Sequence, residues 1–253
     1  MKIASWNVNS LRVRLPQVIE WLYDTSVDVL ALQETKTQDD DFPEEEINEA
    51  GYQVIYSGQK TYNGVAILAK SPPIDPITDI ANLDDPQRRI LAATVDGVRI
   101  VNLYVVNGSE VGSDKYQYKL DWLSKVTDYV SQELSQHDKL VVLGDFNIAP
   151  DDRDVYDPTR WKDKILCSQA ERDALDKMLS LGLSDTFRLF DQKADLFSWW
   201  DYRGGGYQRN QGLRIDLILA SRKLSKSCQK SSIDFAPRAW ERPSDHTPVI
   251  AEF

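Results

Sequence analysis

The sequence predicts an α/β protein in which two packed β-sheets carry helices on their outer faces. Short apolar runs rich in β-branched residues, typical of buried strands, alternate with longer segments whose apolar residues recur at helical spacing. Each half of the chain holds several such strands and one long helix, and no linker or low-complexity segment separates the halves. We therefore expect a single domain spanning residues 1–253.

A strand, a helix and a second strand open the chain. The first strand is predicted over residues 2–9 and ends in polar side chains. Ser10 is a candidate N-cap for a helix from residue 11 to about residue 24. A second buried strand is predicted over residues 27–34 and ends in an acid, and Pro43 is expected to open a short acidic helix.

Two hairpins are predicted to follow. Residues 52–57 and 63–69 form the first, with a polar connection between them. The second pairs residues 89–95 with residues 98–105 around Asp96-Gly97, a dipeptide that strongly favours a two-residue hairpin turn.

The second half contains two amphipathic helices, predicted over residues 114–134 and 170–181, and Gly182 ends the latter. The polar connection over residues 151–168 is of a length that is usually functional or disordered. A further strand is predicted over residues 213–220.

The strand that begins at Leu140 points most directly to a functional site. Its four apolar residues are followed by Gly144, which lets the backbone bend or be approached closely. Asp145 and Asn147 come next, two positions apart, so in an extended chain their side chains point to the same side. Burying a carboxylate costs several kcal/mol unless it is paired or bound to metal. We therefore expect Asp145 to serve chemistry and not strand stability.

Composition and charge narrow the classes of protein. The 40 acids and 30 bases give a net charge of −10, which argues against a nucleic-acid coat protein. The charge does not argue against an enzyme acting on phosphodiesters, because bound divalent cations reverse the local sign. No run is long and apolar enough to span a membrane, and the start lacks a secretory signal. Cys167 and Cys228 follow no metal spacing, so we expect free thiols in a cytoplasmic protein.

Polar residues flank several of the predicted core strands. If those strand ends share one edge, they form a bowl of four carboxylates, two amides and one imidazole. Hard oxygen ligands without a cysteine or multi-histidine cluster favour Mg²⁺, with Mn²⁺ as a substitute, over Zn²⁺. The chemistry that fits such a site is hydrolysis of a phosphoester. The residues concerned are Asn7, Glu34, Asp145, Asn147, Asp216, Asp245 and His246.

The same segments carry a family resemblance that spans essentially the full length of the chain. The motifs are Trp6-Asn7-Val8-Asn9, Leu32-Gln33-Glu34-Thr35-Lys36, Gly144-Asp145-Phe146-Asn147, Leu213-Arg214-Ile215-Asp216 and Ser244-Asp245-His246-Thr247-Pro248. In this order they resemble the exonuclease III class of abasic-site endonucleases, of the bacterial exodeoxyribonuclease III type. The resemblance implies a four-layer α/β/β/α sandwich of two mixed sheets, related to deoxyribonuclease I. It also implies incision 5′ to abasic sites, together with 3′-repair diesterase and 3′→5′ exonuclease activity on double-stranded DNA.

The resemblance also implies metal ligands. Glu34 is expected to be the principal ligand, assisted by Asn7 and, in some metal positions, by Asp245. The remaining candidate ligands are Asp145, Asn147 and His246.

Catalytic roles are carried over in the same way. Asp145 would orient or deprotonate the attacking water, and Asn147 would hold that water or the developing oxyanion. Asp216 would bond to His246 and fix its tautomer, while His246 donates to the scissile phosphate. Tyr104 would assist the phosphate or the leaving oxygen.

DNA contacts are expected from two regions of the chain. Asn107 would contact a phosphate, although the neighbouring Val106 departs from the proline that is frequent in the family. Trp199, Leu213 and Ile215 are candidates to line a small apolar pocket for a sugar without its base, and Arg203 could follow DNA phosphates. The expected partner is double-stranded DNA with abasic sites or blocked 3′ ends, bound by a monomer and without a membrane.

Three alternatives are weighed against this interpretation. A nonspecific nuclease of the deoxyribonuclease I kind uses two catalytic histidines. The second histidine of this chain, His137, precedes the strand that Asp145 ends, so it lies about 26 Å from Asp145, at about 3.3 Å per residue, and cannot be the second catalytic histidine. A phospholipid-headgroup phosphodiesterase would share the core and differ in the surrounding pocket. A non-catalytic DNA-binding homologue would be indicated by loss of Glu34, Asp145 or His246, and all three are present. The balance of endonuclease and exonuclease activity and the number of metal ions stay open.

Overall fold

Strands from both ends of the chain form the first of two six-stranded sheets in the computed structural model, which describes residues 1–253. Across this sheet the order is β11-β12-β1-β2-β4-β3, and only β1 and β2 run parallel. The strands are β1 (Lys2–Asn7), β2 (Val29–Gln33), β3 (Gln53–Ser57), β4 (Val65–Ala69), β11 (Lys230–Ile233) and β12 (Val249–Glu252).

The middle of the chain forms the second six-stranded sheet. Its order is β5-β6-β7-β8-β10-β9, with β7 and β8 as the parallel pair. The strands are β5 (Ile74–Ile77), β6 (Ile90–Val95), β7 (Val98–Tyr104), β8 (Leu140–Asp145), β9 (Leu183–Asp185) and β10 (Asp216–Ser221). Both sheets are therefore mixed.

Six α-helices complete the fold, together with short 3₁₀ turns. They are α1 (Leu11–Thr25), α2 (Glu44–Glu49), α3 (Asp114–Gln136), α4 (Pro158–Trp161), α5 (Gln169–Leu179) and α6 (Arg222–Ser225). None of them has the length and apolar character needed to cross a membrane.

Three large apolar clusters separate four layers of secondary structure. One of 20 residues lies between the sheets and includes Ile3 of β1 and Val141 of β8. A second, of 16 residues, packs α1 on the first sheet through Trp21. A third, of 20 residues, packs α3 and α5 on the second sheet through Trp122 and Met178. The central strands are buried on both faces, and their sequences are therefore continuous apolar runs. The predicted α/β/β/α sandwich is confirmed.

The predicted helices and strands are present, with ends shifted by a few residues, but two details are wrong. The side chain of Ser10 does not cap α1. The backbone of Ser10 has a φ of +93°, and its N–H donates to the carbonyl of Glu34. The strand predicted over residues 213–220 begins at Asp216, because Leu213 makes only isolated bridges. The strands β5, β9 and β11 are short or exposed and carry no apolar run that the sequence could reveal.

Candidate active site

Polar residues from distant parts of the chain meet at one edge of the two sheets. In the second sheet, strand register places Asp145 beside Tyr104 of β7 and beside Asp216 of β10. In the first sheet Asn7 ends β1, and Glu34 directly follows β2. A hydrogen bond of 3.0 Å from Asn7 Nδ2 to Asp145 Oδ2 links the two sheets. The strand ends that were expected to share an edge do so.

The backbone at this edge is held in uncommon conformations. Gly144 has a φ of +141°, and a Cβ there would lie 1.9 Å from the carbonyl oxygen of Leu103, so no other residue fits between β7 and β8. Glu34 and Asn147 have φ values of +51° and +49°, in the left-handed region. Such strain costs about 1–3 kcal/mol per residue and occurs preferentially at functional sites. The surrounding sheets therefore force both side chains into the bowl.

Two carboxylates and one imidazole converge at the centre of the bowl. Glu34, Asp145 and His246 offer ligand atoms that lie within 4.8 Å of one another. Burial raises the pKa of Asp145. Burial also opposes the charge of Glu34, but Lys36, which pairs with it at 2.9 Å, and Asn7 hold its pKa below the ordinary value. Glu34 is therefore ionised and already partnered by a cation of the protein.

His246 is fixed by a buried acid. Its Nδ1 lies 2.9 Å from Asp216 Oδ2, and its Nε2 lies 3.8 Å from Asp145 Oδ2. The Ser198 hydroxyl donates to Asp216 at 2.6 Å and accepts the backbone N–H of Asp216 at 3.0 Å. Burial lowers the pKa of His246, but the carboxylates of Asp216 and Asp145 outweigh burial and raise it above the ordinary value. The imidazolium is thus favoured, with Nε2–H available as a proton donor.

Two asparagines bond to the carboxylates, and a third asparagine bonds to one of these two. Asn147 donates its backbone N–H to Asp145 Oδ1 at 2.9 Å and its Nδ2 to the Val105 carbonyl at 3.0 Å. Asn107 donates Nδ2 to Asn147 Oδ1 at 3.1 Å. Asn7 presents Nδ2 to both carboxylates, and its Oδ1 accepts the backbone N–H of Asn9. Asn7 and Asn147 thus both donate Nδ2 to the Asp145 carboxylate in this structure.

Asp245 lies beside the bowl with both oxygens occupied. Asn9 Nδ2 donates to Oδ1 at 2.9 Å, and Trp199 Nε1 donates to Oδ2 at 3.0 Å. Burial opposes the charge, but His246 and these two donors lower the pKa of Asp245. Lys36 Nζ reaches Asn9 Oδ1 at 2.6 Å, so one chain of hydrogen bonds runs from Glu34 to Asp245. Asp245 is therefore arranged to orient its neighbours.

Tyr104 lies at the β7 end of the bowl. Burial raises its pKa well above the ordinary value, and the charges of Glu34 and Asp145 add to this effect. The Arg89 guanidinium lies 4.5 Å from the centre of its ring and donates to its carbonyl at 3.2 Å. The phenol therefore stays protonated and faces the site as a donor.

The expected apolar pocket is not open in this structure. Leu213 and Ile215 are 0% and 1% exposed, because they pack in a six-residue buried cluster with Val155 and Leu166 among others. Trp199 packs on the outside of that cluster. A polar cavity of about 470 Å³ lies next to Trp199 instead. Its lining includes Tyr156, Arg160, Trp161, Asp201, Arg203 and Arg209.

The donor set fits a hard divalent cation. Glu34 and Asp145 supply carboxylate oxygens and no cysteine lies in the cluster, which favours Mg²⁺-type ions over soft metals. The two carboxylates of this cluster can therefore hold a metal ion.

Three residues of the site, Lys36, Asn9 and Ser198, gave weak sequence signals. Lys36 follows an acid by two positions, and Asn9 follows Asn7 by two, so both lie within motifs whose importance was visible. Ser198 offered only its place in an aromatic segment. Their roles depend on contacts between distant parts of the chain, such as the bond from Asn9 to Asp245, which are 236 positions apart.

Known proteins are similar to this chain in sequence and fold. Residues 4–246 match the Endonuclease/Exonuclease/phosphatase family. Exodeoxyribonuclease III of Haemophilus influenzae is 36% identical over 100% of both chains. The 3′ phosphatase NExo from Neisseria, solved with a product DNA hairpin, is 50% identical, with a TM-score of 0.99 over 100% of this chain and 99% of that one. An AP endonuclease from Archaeoglobus fulgidus is 37% identical, with a TM-score of 0.96 over the same shares.

Proposed function

The chain belongs to the Endonuclease/Exonuclease/phosphatase family, and we propose that it is a DNA-repair nuclease of the exodeoxyribonuclease III type. It hydrolyses the phosphodiester 5′ to abasic sites and removes nucleotides and blocking groups from 3′ ends of double-stranded DNA. The observation that carries this proposal is the convergence of Glu34, Asp145 and an Asp216-bound His246 at one sheet edge. Phosphodiester hydrolysis needs carboxylates that orient the attacking water and a donor, here an imidazolium, that bonds to the phosphate.

The attacking water is oriented by the second sheet. Asp145 Oδ2 faces the bowl, and Asn147 holds Asp145 Oδ1 through its backbone N–H. A water between Asp145 and Asn147 would lose a proton to the carboxylate as its oxygen bonds to phosphorus. The leaving oxygen takes a proton as its bond to phosphorus breaks, and the Tyr104 phenol, which lies beside Glu34 and stays protonated, is a donor for it.

Charge on the nonbridging oxygens is met by His246, whose Nε2–H faces the bowl while Asp216 holds Nδ1. Each preorganised donor of this kind contributes about 2.7–4 kcal/mol to transition-state stabilisation. We propose Mg²⁺ as the cation at Glu34 and Asp145, with Mn²⁺ as a substitute; when bound, it polarises the phosphate and stabilises the developing charge.

We propose that the enzyme works as a single catalytic domain over residues 1–253, as a cytoplasmic monomer. The free thiols of Cys167 and Cys228 support a reducing compartment. The cavity beside Trp199, with Arg160, Arg203 and Arg209, supports a path for DNA phosphates next to the bowl.

A narrower candidate is an enzyme that acts chiefly at 3′ ends. The observation that favours it is the absence of an open apolar pocket, since Leu213 and Ile215 have no exposed surface to offer an extruded abasic sugar. The 50% identity to a protein described as a 3′ phosphatase supports the same specificity.

One assay tests both candidates. The purified protein is incubated with a duplex carrying one abasic analogue and with a nicked duplex ending in 3′-phosphate, each with Mg²⁺ or with EDTA. We expect Mg²⁺-dependent product from both, and product from the second duplex alone would select the narrower candidate. His246→Ala is the matched control. No product from either duplex, or product that survives EDTA or His246→Ala, would refute the proposed function.

A further inference from the structure

A buried lysine lies directly behind the bowl. Lys119 belongs to α3 in the outer helix layer, yet its side chain is 0% exposed. Its ammonium donates to the backbone carbonyl of Asn147 at 2.7 Å and to that of Asn107 at 3.2 Å. It also pairs with Glu171 of α5, whose side chain is equally buried.

The two carbonyls have no other support from the backbone. Neither Asn107 nor Asn147 lies in a strand, and neither carbonyl accepts a backbone N–H. Asn147 is held at a left-handed φ of +49°, while Asn107 bonds to the Asn147 side chain. The ammonium of Lys119 thus ties the backbone of the turn after β7 to that of the turn after β8, whereas the other bonds between the two turns come from the side chains of Asn107 and Asn147.

Glu171 extends the same link to a third segment. It closes the capping box at the start of α5 by accepting the Ser168 N–H at 3.1 Å, and it accepts the Leu166 N–H at 3.1 Å. Desolvating an ion pair is costly, and apolar residues of the same volume are often as stable. A lysine at this point is therefore better explained by the two backbone carbonyls that it holds than by stability alone.

We infer that Lys119 is a positioning residue for the proposed reaction. This role rests on the proposed function. The ammonium of Lys119 fixes the backbone of Asn107 and Asn147, and so fixes the side of the bowl that orients the water. Lys119 has no exposed surface and does not touch DNA. Its loss therefore lowers kcat more than it raises KM, because Asn147 is placed at the reacting water and only Asn107 is expected to contact a phosphate of the bound DNA. A displacement of about 1 Å in a catalytic group can lower a rate on the order of 10²-fold.

Three variants separate this role from that of an ordinary ion pair. Glu171→Gln removes the counter-charge but leaves the ammonium on both carbonyls. The double variant Lys119→Met with Glu171→Gln removes the ammonium as well, and leaves no unpaired buried charge. Arg99→Met is the matched control, because Arg99 forms a buried pair with Glu133 of the same helix, away from the bowl.

The readouts are kcat and KM on the 3′-phosphate duplex, thermal unfolding, and hydrogen exchange of the peptide segments containing residues 106–108 and 146–149. We expect the double variant to unfold no earlier than Glu171→Gln, to lose kcat on the order of 10²-fold relative to it, and to exchange faster in both segments. Arg99→Met should lose stability and keep kcat. If kcat follows the unfolding temperature across all variants, or if exchange in the double variant equals that of Glu171→Gln, the positioning role is refuted. An inactive wild-type protein would refute the proposed function instead, and the exchange measurement would still decide the role of Lys119.

Discussion

Replacing Asp216 by Asn tests how much of the catalytic power depends on the buried acid behind His246. The substitution keeps the shape and the contact with Ser198, which donates at 2.6 Å, but removes the charge that faces Nδ1 at 2.9 Å. The side chains of His246 and Asp216 are 5% and 0% exposed, so water cannot take the place of the lost carboxylate. We expect His246 to lose its preference for the imidazolium form.

The size of the effect follows from the loss of the imidazolium as a donor. Proton donation by a positioned side chain contributes about 10²–10⁴-fold to a rate. At about 1.36 kcal/mol for each tenfold change in rate, this corresponds to about 2.7–5.4 kcal/mol of transition-state stabilisation, and we expect kcat to fall by a factor within that range. KM should change little, because neither oxygen of Asp216 is exposed to bind DNA.

Single-turnover cleavage of the 3′-phosphate duplex at saturating Mg²⁺ measures this change. His137→Ala is the matched control, since His137 lies at the C-terminal end of α3 beside Glu133 and should leave the rate unaltered. A rate for Asp216→Asn within tenfold of the wild type would contradict the proposed role of the pair. An equal loss of rate in Asp216→Asn and His137→Ala would show that the loss is not specific to the Asp216–His246 pair.

Three further predictions concern the metal, the β7–β8 contact and the buried ion pairs. Mg²⁺ at about 100 times its Kd should raise the free energy of unfolding by about 2.7 kcal/mol, and Glu34→Ala should remove most of that rise in a thermal-shift assay, whereas an equal rise would contradict the ligand assignment. Gly144→Ala should lose at least about 1–3 kcal/mol in urea unfolding, because its methyl group meets the Leu103 carbonyl, and an unchanged midpoint would disprove this. Arg214→Met should cost about 3–5 kcal/mol in the same measurement, because it leaves the largely buried carboxylate of Asp185 without its cation, whereas Asp154 keeps Arg188, and the loss should shrink when Asp185 is also made apolar.

The layered fold could be predicted because its signals are local. The run Leu140–Leu143 is apolar throughout, which is typical of a strand buried on both faces. The Asp96-Gly97 turn predicts the pairing of β6 with β7 from local sequence alone. The strand β5 could not be predicted, since Ile74–Ile77 is exposed along its length and holds a proline. Such edge strands form because a neighbouring strand offers unpaired N–H and C=O groups, which no pattern within the segment records.

The candidate site was predictable in its residue types and less so in its contacts. An acid at the end of a buried strand is costly, so Asp145 was conspicuous. Lys119 was not, because its place in an amphipathic helix is equally typical of a solvated base. The burial of Leu213 and Ile215 could not be predicted either, because apolar residues beside a site are as typical of a core as of a binding pocket.

The charges around the bowl bear on the number of metal ions. Four acids, Glu34, Asp145, Asp216 and Asp245, surround it, while Lys36 and the protonated His246 are the cations that contact them. Burial raises the pKa of Asp145, but a bound cation keeps its carboxylate ionised, so the difference is then two negative charges. One divalent cation neutralises them, and a second would overcompensate before DNA arrives. We therefore predict a stoichiometry of one Mn²⁺ per chain in equilibrium dialysis of the DNA-free protein. Lys36→Met should leave three uncompensated charges and tighten Mn²⁺ binding, and two ions per wild-type chain would show that charge balance does not set the count.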